Sequence, residues 1–226
     1  MDRQALLLDM NSTFMFEEDR FGPDIDYAEH YQAIGGTLPA CQVNNIIQDA
    51  YDYLDACYPT EAWRHCFPTV EKAILATHDE WLPPLEMERL IDTFAYHELG
   101  HIPKSYAQAL HRLARYFTLA LVADIWSPKK AWLDAFAEAG IAALFQAVSF
   151  SSEHGVVKPS PKPFRLILKQ LDIDPSTALV IGDSARRDLG GARAAGIDCI
   201  LVGDERDPNA VGTFPNLIRL CEALCP

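Results

Sequence analysis

Residues 5–13, Ala-Leu-Leu-Leu-Asp-Met-Asn-Ser-Thr, place four apolar residues directly before an aspartate and a polar turn. An unbroken apolar run of this length predicts a strand of a parallel sheet, because both faces of such a sheet are covered. Asp9 would then stand at the carboxyl end of the strand. Open parallel sheets bind their ligands at these ends, so Asp9 is the first candidate for chemistry.

The second half of the chain repeats the pattern of an apolar run followed by a helix. Strands are predicted at 119–122, 145–150, 178–181 and 199–202, and helices at 127–139, 160–171, 185–195 and after Pro215. Ser127-Pro128 and Ser160-Pro161 each predict a helix cap with proline at the first helical position. Repeated strand–helix units predict an α/β fold with a doubly wound, Rossmann-like parallel sheet.

Residues 21–101 have a different composition, which is rich in aromatic and acidic residues. Apolar spacing of three and four predicts helices at 43–54 and 85–99, and no strand alternation is evident. We therefore predict a small all-helical domain, residues 21–101, inserted into a core formed by residues 1–20 and 102–226.

The overall composition excludes some partners and locations. The 226 residues carry a formal net charge of −13, which argues against nucleic acid or an anionic membrane as the main partner. The longest apolar runs are too short to cross a bilayer, and the first residues do not resemble a signal peptide. We expect a cytoplasmic protein with six free cysteines, either a monomer or a homodimer.

Polar residues follow the predicted strands at four places. These are Asp9, the Ala123-Asp124 pair, Lys158 with Pro159, and Gly182-Asp183 with Asp188 five residues later. If these strand ends converge, clustered carboxylates need a cation, and oxygen ligands suit Mg²⁺. A lysine beside them would stabilise a phosphoryl group, which an aspartate can attack to form an aspartyl-phosphate.

With these motifs in this order, the chain resembles the haloacid dehalogenase superfamily of hydrolases, most of whose members are phosphatases. Residues Asp9 to Thr13 match its Asp-x-Asp-x-Thr motif except at Asn11. Lys158-Pro159 matches its lysine motif, and Gly182 to Asp188 matches Gly-Asp-x-x-x-x-Asp in full. The predicted helical domain lies where the family carries its cap.

The resemblance implies roles for the matched residues. Asp9 would be the nucleophile and a Mg²⁺ ligand, together with the backbone carbonyl of Asn11 and the carboxylate of Asp183. Lys158 would bridge the nucleophile and the phosphoryl oxygens, and Asp188 would orient Lys158 or a metal-bound water. The substrate would be a small phosphorylated metabolite.

Further positions are expected to surround this site. The turn at Ala123 and Asp124 would bind phosphoryl oxygens through its backbone amides, and Ser184 would cap the following helix. Phe14, just past the nucleophile, and Trp126 are expected to contact the substrate.

Two departures from the family pattern bear on activity. Asn11 replaces the aspartate that usually acts as general acid and base, and an amide cannot transfer a proton. Ala123 replaces the usual Ser or Thr; Ser127 would be a substitute if the turn were unusual, but the sequence favours Ser127 as a helix cap. The chain is thus either a slow or specialised phosphatase, a non-catalytic metal- and phosphate-binding relative, or an enzyme that cleaves carbon–halogen or carbon–phosphorus bonds. Gly182-Asp183 favours a metal, which a dehalogenase does not need.

Two other features of the sequence have structural interpretations. His97-Glu98-Leu99-Gly100-His101 matches the zinc-protease pattern His-Glu-x-x-His. Gly100 and the nearby Pro103 predict a helix that ends near Leu99, which favours a hinge between cap and core instead of a zinc site. Gly190 and Gly191 lie inside a predicted helix and indicate close packing of that helix against the sheet.

Overall fold

The computed structural model describes residues 3–225, and a six-stranded parallel sheet forms their centre. The strands are β1 (Ala5–Leu8), β2 (Thr118–Ala123), β3 (Phe145–Phe150), β4 (Ala178–Gly182), β5 (Asp198–Val202) and β6 (Gly212–Phe214). Their order is β3-β2-β1-β4-β5-β6, and each neighbouring pair is parallel. The predicted α/β fold is confirmed, and β6 is a strand that the sequence did not predict.

Strand β1 lies in the middle of this sheet. It pairs with β2 on one side and with β4 on the other. Leu6 and Leu8 point into the apolar cluster on one face of the sheet, and Ala5 and Leu7 into the cluster on the other. This two-sided burial is why the run is apolar without alternation. It also places Asp9 between the ends of two neighbouring strands.

Helices cover both faces of the sheet. The α-helices among residues 3–225 are α1 (Tyr27–Ala33), α2 (Ala40–Cys57), α3 (Val70–Thr77), α4 (Pro84–Glu98), α5 (Lys104–Leu113), α6 (Lys130–Glu138), α7 (Ser151–His154), α8 (Lys162–Leu171), α9 (Gly190–Ala195) and α10 (Leu217–Leu224). Helices α5, α6 and α10 contribute to one apolar cluster, and α8 and α9 to the other. None of the helices between residues 3 and 225 is long and apolar enough to cross a bilayer.

Helices α1 to α4 form a helical insertion, residues 27–98, with an apolar cluster of its own. That cluster also includes Val157, which precedes Lys158 in the core. The two crossings between insertion and core meet at an antiparallel bridge, in which Phe16 and His101 exchange backbone hydrogen bonds of 2.9 and 2.8 Å. A side chain at Gly100 would place its Cβ 2.6 Å from the Phe16 carbonyl oxygen, so this neck needs a glycine. The exact domain boundaries stay a prediction.

Two predicted helices differ from the structure, one in its start and the other in its type. Helix α6 begins at Lys130 and not at the Ser127-Pro128 signal, and Ser127 is instead fully buried in the preceding turn. The predicted helix 185–195 consists of a π-helical turn at Ala185–Leu189 followed by α9. Such π turns are frequent at functional sites, and this one carries Asp188.

The adjacent glycines of the α9 segment have different environments. A Cβ on Gly191 would lie 2.5 Å from a ring carbon of Phe164 in α8, whereas one on Gly190 would lie 3.4 Å from the Pro159 Cβ. The close packing predicted from sequence is therefore real at Gly191, but its partner is a neighbouring helix and not the sheet.

This difference predicts opposite effects for two matched substitutions. Gly190→Ala should leave the free energy of unfolding unchanged or raise it by up to about 1 kcal/mol, because alanine is the better helix former. Gly191→Ala should lower it by about 1–3 kcal/mol, because the methyl group overpacks against Phe164. Urea unfolding of both variants measures the two effects, and equal shifts in the same direction would contradict this account of the packing.

Candidate active site

The strand ends bring four of the predicted site residues together. Asp9 follows β1 and Asp183 follows the neighbouring β4, while Lys158 and Asp188 reach the same point from the loop before α8 and from the π-helical turn. The Lys158 Nζ lies 2.5 Å from an Asp9 carboxylate oxygen and 2.7 Å from an Asp188 carboxylate oxygen. Lys158 is only 2% exposed, so neighbouring carboxylates, and not water, offset its charge.

Asp188 is fixed by its surroundings. Its second carboxylate oxygen accepts a hydrogen bond of 3.0 Å from the Ser184 backbone amide. The Ser184 hydroxyl in turn accepts a bond from the Arg187 amide at 3.3 Å and caps the π-helical turn. A Cβ on Gly182 would lie 2.3 Å from the Asp188 carboxyl carbon, so only glycine fits before Asp183. Both Asp188 oxygens are thus occupied by donors.

The site residues fit a hard divalent cation. Asp9, Asp183 and Asp188 each offer a carboxylate oxygen, and these oxygens lie within 4.8 Å of one another. Because both Asp188 oxygens already accept hydrogen bonds, Asp9 and Asp183 are the carboxylates that remain available to bind a cation. The Asp183 Oδ1 and the Asn11 Oδ1 are buried and accept no hydrogen bond from the described residues. An oxygen-only set of this kind suits Mg²⁺.

The electrostatics of Asp9 also indicate a need for positive charge. Burial, together with the charges of Asp188 and Asp183, raises the pKa of Asp9 to about 8, although Lys158 opposes the change. Burial disfavours the charge on Lys158, but Asp188, Asp9 and Asp124 outweigh it and hold the pKa of Lys158 well above its ordinary value. Lys158 is therefore held in its charged form, and a further positive charge next to Asp9 would favour its carboxylate.

Asp124 and Tyr58 form a contact that the sequence did not predict. Asp124 follows Ala123, the buried last residue of β2, and one of its carboxylate oxygens accepts bonds from the Lys158 backbone amide at 2.9 Å and the Tyr58 hydroxyl at 2.7 Å. Tyr58 caps the end of α2. No sequence signal separates it from the other aromatic residues of the insertion. The Asp124 carboxylate thus joins Tyr58 of the insertion to the backbone of Lys158, while phosphoryl binding by the turn at Ala123 and Asp124 stays a prediction.

The two aromatic residues expected to contact the substrate lie in different places. Phe14 is fully buried in the core, with its ring 6.2 Å from that of Phe136 and 6.0 Å from that of Phe145, so its predicted contact with substrate is wrong. The Thr13, Phe14 and Met15 amides all bond to the Met10 carbonyl, and this tight turn directs Phe14 inward.

Trp126 lies at the boundary between the insertion and the core. It is partly exposed, and its ring packs within 6.4 Å of the rings of four aromatic residues: Tyr51, Tyr58, Phe67 and Phe94. All four belong to the insertion or its connecting loops. This placement suits contact with a substrate held between insertion and core, which stays a prediction.

The His-Glu-x-x-His segment is structural. Helix α4 ends at Glu98, and His101 lies beyond it in the neck, with its Nδ1 3.3 Å from a Glu17 carboxylate oxygen. Within residues 3–225, the group able to hold a metal through three or more His, Cys, Asp or Glu side chains is that of Asp9, Asp183 and Asp188. The structure therefore contradicts the zinc-site alternative, as expected from Gly100.

Glu98 instead braces the turn after β2. Its buried carboxylate accepts hydrogen bonds from the backbone amides of Trp126 at 2.5 Å and Ser127 at 2.9 Å. Burial raises the pKa of Glu98 to about 7 in spite of these two bonds. A carboxylate from the last helix of the insertion thus fixes the loop that begins with Asp124.

The raised pKa of Glu98 predicts a pH-dependent contribution to stability. Glutamate in an unfolded chain titrates near about 4.3, so between that pH and about 7 the folded state retains a proton that the unfolded state has lost. The free energy of unfolding should therefore fall, relative to that of Glu98→Gln, as the pH rises through this window, by at most about 3 kcal/mol.

Urea unfolding of the wild type and Glu98→Gln at several pH values from 4 to about 8 measures this difference. Glu88→Gln, at an exposed position on the same helix, is the matched control for the loss of one carboxylate. A flat difference for Glu98→Gln would contradict the assigned pKa.

Comparisons with known proteins agree with this architecture. Residues 16–196 match the family model of haloacid dehalogenase-like hydrolases. A phosphoserine phosphatase of Thermus thermophilus is 35% identical over 79 residues, which cover 35% of this chain and 32% of that protein. The chain thus matches only about a third of the length of this relative.

Solved structures show the same fold over nearly the whole chain. A phosphatase of this superfamily from Thermococcus onnurineus superimposes with a TM-score of 0.62 at 21% identity, covering 98% of this chain and 97% of that one. A 2-haloacid dehalogenase from Pseudomonas syringae gives 0.62 at 20% identity and covers 98% of both chains. Because a phosphatase and a dehalogenase are equally similar to this chain in fold, the fold does not show whether a phosphate ester or a carbon–halogen bond is cleaved.

Proposed function

Because the chain belongs to the haloacid dehalogenase-like hydrolase family, we propose that it is a Mg²⁺-dependent phosphatase that forms an aspartyl-phosphate on Asp9. The observation that carries this proposal is the position of the Lys158 Nζ between Asp9 and Asp188, next to an Asp183 oxygen that has no donor. This combination provides a nucleophile, a fixed cation and a metal ligand at one point. The substrate we propose is a small phosphorylated metabolite, and we propose a cytoplasmic location.

Asp9, Lys158 and Asp188 have different roles in the proposed phosphoryl transfer. One Asp9 oxygen is held by Lys158, which leaves the other free to attack phosphorus in line with the leaving oxygen. Lys158 then stabilises the charge that develops on the phosphoryl oxygens, and Asp188 keeps its ammonium group in place. Bound Mg²⁺, held by Asp9, Asp183 and the Asn11 carbonyl, would supply further positive charge to Asp9 and the phosphoryl group.

Water must then attack the aspartyl-phosphate, which releases phosphate and returns the Asp9 carboxylate, and Asn11 can neither protonate the leaving oxygen nor take the proton from that water. Without an acid at this position, the leaving oxygen departs as an anion, so the rate should depend strongly on the acidity of the leaving group. Aryl phosphates and other esters of acidic alcohols should react faster than alkyl phosphates. Asn11 and Ala123 both depart from the family pattern. Together they favour a second candidate function, that of a non-catalytic relative that retains the metal and phosphate sites.

The role of Asp9 is tested by phosphate release with Mg²⁺ across a panel of aryl and alkyl esters. Asp9→Asn should reduce turnover to background, because an amide is not a nucleophile toward phosphorus. Asp134→Asn, an exposed carboxylate on α6, is the control and should retain wild-type rates. Turnover that survives in Asp9→Asn would contradict the proposal, and halide release from haloacids would instead indicate carbon–halogen cleavage.

A second variant tests the role of Asn11. Asn11→Asp restores a general acid and should accelerate hydrolysis of alkyl esters by roughly a hundredfold to ten-thousandfold, with less effect on aryl esters. The plot of log kcat/KM against leaving-group pKa should become shallower. An unchanged slope would contradict the assignment of Asn11. An inert wild type that gains turnover with Asn11→Asp would favour the non-catalytic candidate.

A further inference from the structure

Arg187 lies at the edge of the site and has no role in the mechanism above. It precedes Asp188 in the π-helical turn, and one guanidinium nitrogen, Nη2, lies 3.6 Å from the Asp183 Oδ1. That distance permits an ion pair but is too long for a hydrogen bond. The side chain is 32% exposed, whereas Lys158 and Asp188 are almost completely buried.

The charge of Arg187 is directed toward the reacting groups. The Tyr58 hydroxyl and the carboxylates of Asp9, Asp188 and Asp183 are the groups that interact with its charge most strongly. Its guanidinium group nevertheless donates no hydrogen bond to any residue in the range 3–225. A planar group with five donors therefore stands at a site for a phosphorylated ligand with its hydrogen-bonding capacity unused.

Lys158 cannot take over the recognition of a second negative group. Its ammonium group is held between Asp9 and Asp188, and its backbone amide is held by Asp124. The guanidinium group of Arg187 is free to form the paired hydrogen bonds that carboxylates accept. In a chain with a net charge of −13, a cation with this freedom beside the nucleophile would offset the repulsion of a doubly anionic substrate.

We propose that Arg187 binds a carboxylate that the substrate carries close to its phosphoryl group, which makes phosphorylated small carboxylic acids the preferred substrate class. This inference rests on the proposed function for the position of the phosphoryl group. Arg187 is a specificity-determining residue for the neighbouring part of the substrate, and it does not take part in the bond-breaking step.

The test measures binding, so that it does not depend on turnover. The probes are phosphonoacetate and 3-phosphonopropionate, compared with ethylphosphonate and propylphosphonate, which have similar lengths and no carboxylate. With Mg²⁺ present, calorimetry on the full chain should show that the wild type prefers the carboxylated member of at least one pair by roughly ten- to a hundredfold.

Arg187→Gln should abolish this preference, because it should lower the affinity for the carboxylated probes much more than the affinity for the alkylphosphonates, and Arg187→Lys should retain part of it. Arg186→Gln removes the same charge from the exposed neighbouring position and should keep the wild-type preference. A wild type without preference, a preference that survives in Arg187→Gln, or one that Arg186→Gln also removes would overturn the proposal. So would the absence of binding by all four probes.

The result is separate from that of the phosphatase proposal. If the wild type releases phosphate from esters through Asp9 but shows no carboxylate preference, only the assignment of Arg187 fails. If the preference is present and depends on Arg187 while no ester is hydrolysed, the binding assignment stands and the catalytic proposal fails.

Discussion

The buried ammonium group of Lys158 is the constraint on which the rest of the site depends. A charge with so little solvent contact is tolerated only where carboxylates and hydrogen bonds replace water, and loss of one partner of such a pair typically costs about 3–5 kcal/mol. Several features of the fold serve this requirement: the absence of a side chain at Gly182, the Ser184 amide that fixes Asp188, and the Asp124 carboxylate that holds the Lys158 backbone. The lysine therefore determines local backbone structure as well as local charge.

The sequence predicted the sheet and the convergence at its edge for the same physical reason. Two-sided burial makes parallel strands such as β1 continuously apolar, and parallel strands all end at one edge. Errors arose where a local signal had two interpretations. Ser127-Pro128 has the composition of a helix start, but its turn is held by Glu98 from a distant helix. Phe14 follows the nucleophile in sequence, yet a tight turn returns it to the core.

Contacts between the insertion and the core were beyond the reach of sequence patterns. Tyr58 and Glu98 lie 66 and 28 positions before the residues to which they bond, Asp124 and Trp126. No periodicity encodes such pairings, because they depend on how two folded units dock. Both contacts converge on the turn after β2, so the insertion does more than cover the site. The insertion also stabilises the loop after β2 through these two hydrogen bonds, which the core by itself does not supply.

The bridge between Phe16 and His101 has a consequence for how this chain can diversify. Because the two ends of the insertion meet side by side, the helices can be replaced by another segment of different length without displacing β1 or α5. The charged centre belongs to the core, whereas the aromatic rings that pack around Trp126 belong to the insertion or its connecting loops. Recombination at this neck would thus exchange the part of the ligand surface that the insertion supplies, while Arg187 and the charged centre stay with the core.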